Sequence, residues 1–192
     1  MRKSLGTLAM MMCSWSAWAG DATFDLGFAQ PGMAQAQFRE FGGDGRQVIC
    51  SDEADHPREV DFRVSKGVAR VGAIRCGLFA TDSTGQLRPH PHMVAGWPAE
   101  VWAMFLPDAA GTPRLVHLKL NLPAGAFDDL AKAWNQSLGL PSYRRDKVVH
   151  WSNPRSDAMI VGDGDSQVHA YVMDNDLHDS ANRRLGQMPA RH

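Results

Sequence analysis

Residues 113–138, PRLVHLKLNLPAGAFDDLAKAWNQSL, decide the fold because a strand pattern runs directly into a helix pattern. In residues 114–122 apolar and polar side chains alternate, which predicts an antiparallel strand with one buried face and one wet face. The next residues repeat their apolar side chains at helical spacing, which gathers them into one stripe. These are Phe127, Leu130, Ala131, Trp134 and Leu138. The stretch therefore predicts a helix packed on a sheet.

Further strand patterns flank this stretch on both sides. Upstream, residues 101–106 predict the partner strand of a hairpin with residues 114–122. Downstream, residues 147–151, 158–162 and 167–173 predict three more strands, separated by turn sequences. Together they predict an antiparallel sheet around the helix.

The N-terminal part follows a similar order. Residues 31–41 carry apolar side chains near helical spacing and predict a short helix, and residues 48–50 predict the strand that follows it. Residues 60–64 and 68–79 predict two further strands, joined by a turn at residues 66–67.

These elements predict an α+β fold, an antiparallel sheet with helices packed on one face. Residues 20–80 form a predicted N-terminal α+β half and residues 98–178 a C-terminal half. A Gly-, Pro- and His-rich loop at residues 81–97 joins them, and residues 179–192 are predicted to be a flexible tail. Two similar halves, each with a helix before its strands, are one hypothesis; a single α+β domain is the other.

Residues 1–19 have the pattern of a secretory signal peptide. Two basic residues precede an apolar run, and the small residues of Ala17-Trp18-Ala19 predict cleavage after Ala19. A membrane anchor is the alternative, but the apolar run is well short of the roughly 20 residues that span a bilayer. A lipid anchor on Cys13 is a second alternative. We therefore expect a periplasmic or secreted protein without stable membrane insertion.

The charge balance narrows the class of partner. The chain has 20 Lys and Arg against 21 Asp and Glu, for a net charge of −1. Residues 1–19 contain two of the basic residues and no acidic one, so cleavage would leave 18 against 21, or −3. This balance favours neither nucleic acid nor an anionic lipid surface as a partner.

Two cysteines remain after the predicted cleavage, Cys50 and Cys76, and both lie in apolar segments. In an oxidising compartment an even pair of this kind predicts a disulfide. A reactive thiolate or a metal ligand is the alternative, but neither cysteine has a neighbouring histidine or a Cys-x-x-Cys partner.

Metal binding is a hypothesis for the segment RPHPHM, residues 88–93. His90 and His92 flank Pro91, which holds the chain extended and lets the two imidazoles converge. With the thioether of Met93 they would suit a transition metal, Cu or Zn. A proline-stiffened surface loop is the alternative, because a closed site needs more ligands than this segment supplies.

Three other histidines lie in predicted strands: His117, His150 and His169. Strand pairing could bring them together on the wet face as a metal or acid–base site. The alternative is three separate, hydrogen-bonded histidines, since the sequence does not give the strand order.

Catalytic motifs are absent from the sequence: there is no Gly-x-Ser-x-Gly, Ser-x-x-Lys or His-Glu-x-x-His pattern. An enzyme is therefore not the favoured interpretation. A small periplasmic hydrolase stays as an alternative, and it would need a cleft that joins a strand histidine to an acid and a nucleophile.

We expect a non-catalytic binding or structural module of the cell envelope, whose partner is another envelope protein. Trp97 and Trp102 lie beside the long loop and are the candidate anchors, because tryptophan is enriched at interface hot spots. For Trp102 the alternative is burial within its strand.

Four features of the sequence carry a resemblance: the predicted signal peptide, GMAQAQFRE, VICSD paired with IRCGLF, and FDDLAKAWNQSLGLP before a Trp-bearing strand. In these features the chain resembles uncharacterised exported proteins of Gram-negative bacteria. The helix-then-strands order is also similar to small envelope modules of the β-lactamase-inhibitor-protein and outer-membrane-assembly-lipoprotein type. The resemblance implies a compartment and an architecture. It carries over no functional residue.

Overall fold

The computed structural model describes residues 23–43, 45–54, 60–164 and 166–187. The predicted signal peptide lies outside these residues. The described chain is an α+β fold built on one large antiparallel sheet, so the predicted fold class is confirmed. None of the helices in these ranges has the length and apolar character needed to cross a membrane.

Within the described residues the sheet has ten strands and the α-helices have 5 to 12 residues each. The strands are β1 (Arg46–Cys50), β2 (Ile74–Thr81), β3 (Leu87–Pro89), β4 (His92–Val94), β5 (Trp97–Pro107), β6 (Pro113–Pro123), β7 (Tyr143–Arg145), β8 (Val148–Ser152), β9 (Ser156–Asp163) and β10 (Gln167–Asp174). The helices are α1 (Gln35–Arg39), α2 (Lys66–Arg70), α3 (Phe127–Leu138) and α4 (Asn175–Gly186).

The strand order is β1-β2-β5-β6-β10-β9-β8-β7, with β3 on the edge of β2 and β4 on the edge of β5. The strands of both predicted halves therefore join a single sheet. The predicted β5–β6 hairpin and the three C-terminal strands are confirmed. A duplicated architecture stays a prediction.

One face of the sheet carries the main core. The apolar stripe of α3 packs there, together with Phe38 of α1 and every second side chain of β5 and β6. Trp134 of α3 meets Trp151 of β8 edge to face, with ring centroids 5.6 Å apart. Trp151 also donates its indole N–H to the carbonyl of Gly139 at 2.9 Å, just where α3 ends.

Cys50 and Cys76 are directly opposite each other in β1 and β2 and lie at disulfide distance, with an S–S separation of 2.01 Å. Both are fully buried in the main core. The predicted disulfide is therefore present in the structure.

The structure differs from the prediction between residues 60 and 73. Residues 60–65 form no strand, and residues 66–70 form the short helix α2 instead of a turn and the start of the next strand, which begins only at Ile74. Ser65 caps this helix by accepting a hydrogen bond from the amide of Val68. A capping serine outweighs β-branched side chains over one turn because it satisfies an amide that the helix leaves unpaired.

Two segments predicted to lack regular structure contain it. Residues 87–89 and 92–94 of the predicted loop form β3 and β4, which occupy edges that β2 and β5 leave unpaired beyond Gly77 and Trp102. In the predicted tail, residues 179–186 belong to α4.

Helix α4 is stabilised both by its N-cap residue and by the packing of its apolar stripe. Asp174 accepts a hydrogen bond from the amide of Leu177 at 2.9 Å. Leu177, Ala181 and Leu185 fall on one face and pack in a separate apolar cluster with residues that include Val116 of β6. This burial stabilises residues 179–186, which the sequence prediction treated as part of a flexible tail.

Candidate functional site on the open sheet face

The side chains that alternate with the core residues point to the opposite side of the sheet, here called the open face. Neither α1 nor α3 packs on this face, because both lie in the main core. Helix α4 and residues 60–71 cover its β5 side, where they pack with Met104 and Trp102. Six strands contribute one half-buried or exposed side chain each to a continuous cross-strand line, here called the central row. In order it contains Tyr143, His150, Met159, Tyr171, Lys119 and Trp102.

A cavity of about 310 Å³ opens on this face between strands β6 and β8, and we call it the sheet-face cavity. Its floor carries two thioethers, Met159 of β9 and Met173 of β10. Its walls are two pairs of side chains: His117 with Tyr171, and His150 with Asp157. The volume is at the lower end of the range of small-molecule pockets.

The first wall is an aromatic stack. The rings of His117 and Tyr171 are nearly parallel, at an interplanar angle of 5° and a centroid distance of 5.5 Å. Burial, together with the nearby positive charges of His178, Arg75 and Lys119, lowers the pKa of His117 to about 4. His117 is therefore neutral near pH 7, with one nitrogen that donates a hydrogen bond and one that accepts.

The second wall is a histidine–carboxylate pair. Nε2 of His150 lies 3.2 Å from Oδ1 of Asp157, within ion-pair distance when the imidazole is protonated. That oxygen is buried, and no donor among the described residues is aligned to make a hydrogen bond to it. The imidazole of His150 is therefore the nearest cation for this carboxylate when it is protonated.

His169 belongs to a separate polar chain on the same face. Its Nδ1 lies 2.9 Å from Oδ1 of Asn121, which can only accept, so Nδ1 carries the proton. The amide of Asn121 donates to Glu100 at 3.0 Å, and the indole of Trp102 donates to the same carboxylate at 2.9 Å. This chain links β10, β6 and β5 across the open face.

The three strand histidines thus share the open face, but only His117 and His150 line the cavity. Within the described ranges, no group of three or more His, Cys, Asp or Glu side chains is arranged to hold a metal ion. His117 and His150 therefore belong to the two walls of the cavity, and His169 belongs to the separate polar chain.

The segment proposed for metal binding lies elsewhere, along β4. His92 packs between two rings, 4.6 Å from Phe28 and 4.8 Å from Phe41, centroid to centroid. Burial lowers its pKa, and so does the charge of Arg46. Met93 is 60% exposed and shares with His92 a cleft of about 430 Å³. His90 does not line that cleft, and the copper or zinc hypothesis for His90, His92 and Met93 stays a prediction.

Trp97 has a structural partner. Its indole donates to Asp129 at 3.0 Å, which ties the start of β5 to the first turn of α3. Its ring also lies so close to Gly125 that a Cβ there would be 3.1 Å from it. Binding of a partner by Trp97 stays a prediction.

Trp102 is half-buried in β5 and held from several sides. The guanidinium carbon of Arg75 lies 4.6 Å from the centre of its ring, and the rings of Phe62 and Phe79 meet it edge to face. Gly77 leaves the space that this ring needs, because a Cβ there would approach it to 3.0 Å. The open face is therefore covered at the Trp102 end of the central row.

The geometry bears on the hydrolase hypothesis. His150 and Asp157 are a histidine and an acid in one cavity, which could exchange a proton with a bound molecule. No serine, threonine or cysteine is among the described residues that line this cavity. A covalent hydrolase that uses one of these three nucleophiles is therefore not supported by the described residues of this cavity.

Sequence reasoning missed Asp157, Met159, Tyr171 and Met173. Three of them had a readable signal, since large, partly apolar side chains occupy the positions of β9 and β10 where a wet strand face would carry small polar ones. Asp157 had none, because its pairing with His150 depends on the β8–β9 register.

No protein-family model, curated protein or solved structure matches this chain. The resemblance to exported envelope proteins therefore stays a prediction.

Proposed function

We propose that the protein is an exported, non-catalytic binding module of the cell envelope and that the open face of its sheet is the binding surface. The observation that carries the binding role is the central row. From β7 to β10 it presents aromatic, imidazole and thioether side chains across four neighbouring strands, a width of about 14 Å at the usual strand spacing. Phe62 and Phe79 cover the Trp102 end of the row, where α4 also shares an apolar cluster with Met104 of β5.

The composition of this surface favours a protein partner. Aromatic residues and methionine are enriched in protein interfaces, while charged residues are depleted from interface centres. Lys119 is the one charged member of the central row, and its ammonium lies 5.7 Å from the centre of the Tyr171 ring. A block of like charge, which would favour nucleic acid or anionic lipid, is not part of the row.

Export is supported by two independent features. The first nineteen residues have the composition of a signal peptide. The buried Cys50–Cys76 pair is at disulfide distance, and such bonds persist mainly in oxidising compartments. The partner is accordingly proposed to be another protein of the envelope.

Placing a charge in the centre of the row tests the proposal. Met159→Glu is expected to reduce the partner co-purified from the native envelope by roughly tenfold or more, because it puts an unpaired carboxylate in the middle of the interface. The melting temperature should change little, since Met159 is half-buried on the open face and outside the main core.

Met93→Glu is the matched control. It introduces the same charge in place of the same residue type, at a position 60% exposed that borders the cleft beside α3 and does not line the sheet-face cavity. Co-purification should match that of the unmodified protein. Equal recovery with both variants would contradict the proposal, and so would a loss that simply follows a fall in melting temperature.

A further inference from the structure

We infer that a second, smaller cavity on the open face, lined by Arg75 and Lys119, binds one small oxyanion, a carboxylate or a phosphate group. This cavity has a volume of about 210 Å³ and adjoins the sheet-face cavity at His117. We call it the basic cavity. The inference goes beyond the proposed function, because anion binding needs no partner protein and can be measured on the purified chain.

Three neighbouring strands supply the lining of the basic cavity. Its residues are Arg75 of β2, Trp102, Ala103 and Met104 of β5, and His117 and Lys119 of β6. Met104 is the direct cross-strand neighbour of Arg75 on one side and of His117 on the other. The sheet register therefore brings two cations and an imidazole to one cavity, and no Asp or Glu is among the described residues that line it.

The positive charge of this cavity is poorly balanced. Within the described ranges, no Asp or Glu side chain lies within ion-pair distance of Arg75 or Lys119. The carboxylates of Glu100 and Asp61 raise the pKa of Arg75 from farther away, but this pKa remains lowered overall. Both oxygens of Glu100 already accept hydrogen bonds within the polar chain.

Two pKa values reflect the same positive potential. Burial is the main cause that lowers the pKa of Arg75, and the charge of Arg63 lowers it as well. The pKa of His117 is lowered by burial and by three nearby positive charges, those of His178, Arg75 and Lys119. A bound anion would offset these repulsions, because an opposite charge close by favours the charged form of a base.

Arg75 is held in an orientation that suits an oxyanion. Its guanidinium carbon lies 4.6 Å from the centre of the Trp102 ring, and its Nη1 donates to the carbonyl of Phe62 at 3.1 Å. No described residue accepts a hydrogen bond from its Nε or Nη2. A guanidinium that stacks on a ring keeps its in-plane donors available, and its planar fork matches two oxygens of a carboxylate or phosphate.

The size of the cavity favours a small anion over a larger ligand. At about 210 Å³ it lies below the usual range of pockets for drug-sized molecules. Lys119 supplies a second charge from β6, and neutral His117 supplies one N–H donor. An oxyanion group uses all three kinds of donor at once.

Nuclear magnetic resonance titration of the full chain with inorganic phosphate and, separately, with acetate tests the inference. Sodium chloride at the same ionic strength is the reference. The ring resonances of His117 should shift with a dissociation constant on the order of millimolar. Those of His150, which does not line the basic cavity, should follow the chloride reference. A response to only one of the two probes identifies the class of oxyanion that is bound.

Two matched variants complete the test. Lys119→Met removes the ammonium but keeps an unbranched side chain, and it should weaken binding of the anion by roughly tenfold. Lys132→Met is the control, because it changes the net charge equally on the exposed side of α3, outside the basic cavity. Equal affinity of the two variants would overturn the inference. A His117 shift no larger in phosphate or acetate than in chloride would also overturn it.

Once anion binding is measured, recovery of the partner from the native envelope distinguishes two sources of the oxyanion. Equal recovery with Lys119→Met and Lys132→Met assigns the cavity to a free small anion. A selective loss with Lys119→Met, at unchanged melting temperature, assigns it to an acidic side chain of the partner, since methionine otherwise suits an interface. Met159 does not line the basic cavity, so the comparison of Met159→Glu with Met93→Glu tests the proposed function separately.

Discussion

Loss of the Cys50–Cys76 disulfide is expected to lower the free energy of unfolding by roughly 3 to 4 kcal/mol in the chain-entropy model. The two cysteines are 26 residues apart, and cross-linking them restricts the unfolded chain. Both side chains are fully buried beside the main core, so the cross-link fixes β1 to β2 where packing also depends on it. For a domain with a total stability of about 5 to 15 kcal/mol this is a large share.

Urea unfolding, followed by tryptophan fluorescence with and without reductant, measures this effect. The midpoint should move to markedly lower urea when the bond is reduced. The double variant Cys50→Ala, Cys76→Ala is the control: it should be destabilised similarly and should not respond to reductant. A reductant-insensitive midpoint for the unmodified protein would contradict the covalent role of this pair.

Acidification is expected to destabilise the fold through His117. Its pKa is about 4 in the folded protein, against 6.5 for an ordinary histidine. Below pH 6.5 the unfolded chain takes up this proton while the folded protein does not, so stability that is fully present above pH 6.5 is lost as pH falls through 4. Complete loss would amount to about 3 kcal/mol as an upper bound.

His117→Phe should flatten the stability profile between pH 6.5 and 4, because phenylalanine keeps a ring against Tyr171 but cannot be protonated. Tyr171→Phe is the control, since neither tyrosine nor phenylalanine titrates in this window, and its profile should keep the slope of the unmodified protein. His92 also has a lowered pKa. It is present in the unmodified protein and in both variants, so its contribution to the slope cancels when their profiles are compared. Parallel profiles for unmodified protein and His117→Phe would refute this account.

Local periodicity predicted much of the C-terminal part because each element there carries its own signal. Residues 114–122 alternate cleanly, and they form β6 with its apolar side chains in the core. The apolar stripe that begins at Phe127 forms α3, and Gly139 ends it with a positive φ of 87°. In both cases the buried positions could be read from spacing alone.

The elements that were missed depend on distant partners. Strands β3 and β4 are three residues each, too short for a periodic signal, and they form because β2 and β5 leave free edges. Helix α4 has a readable cap at Asp174, but its apolar stripe gains stability only by packing with residues such as Val116. Tertiary contacts of this kind are invisible in a local pattern.

The candidate site could be predicted only in part for the same reason. The alternation of β6 placed His117 on the wet face, and the structure agrees. The stack of His117 on Tyr171 and the approach of His150 to Asp157 depend on the register between strands, which sequence spacing does not specify.

The claim that the open face is the binding surface is tested most directly by photo-crosslinking in the native envelope. A photoreactive amino acid replaces Met159 in the centre of the row or, as the reference position, Lys132 on the exposed side of α3. We predict that position 159 yields a crosslink to one envelope protein and that position 132 does not. Crosslinking from position 132 without any from position 159 would contradict the account.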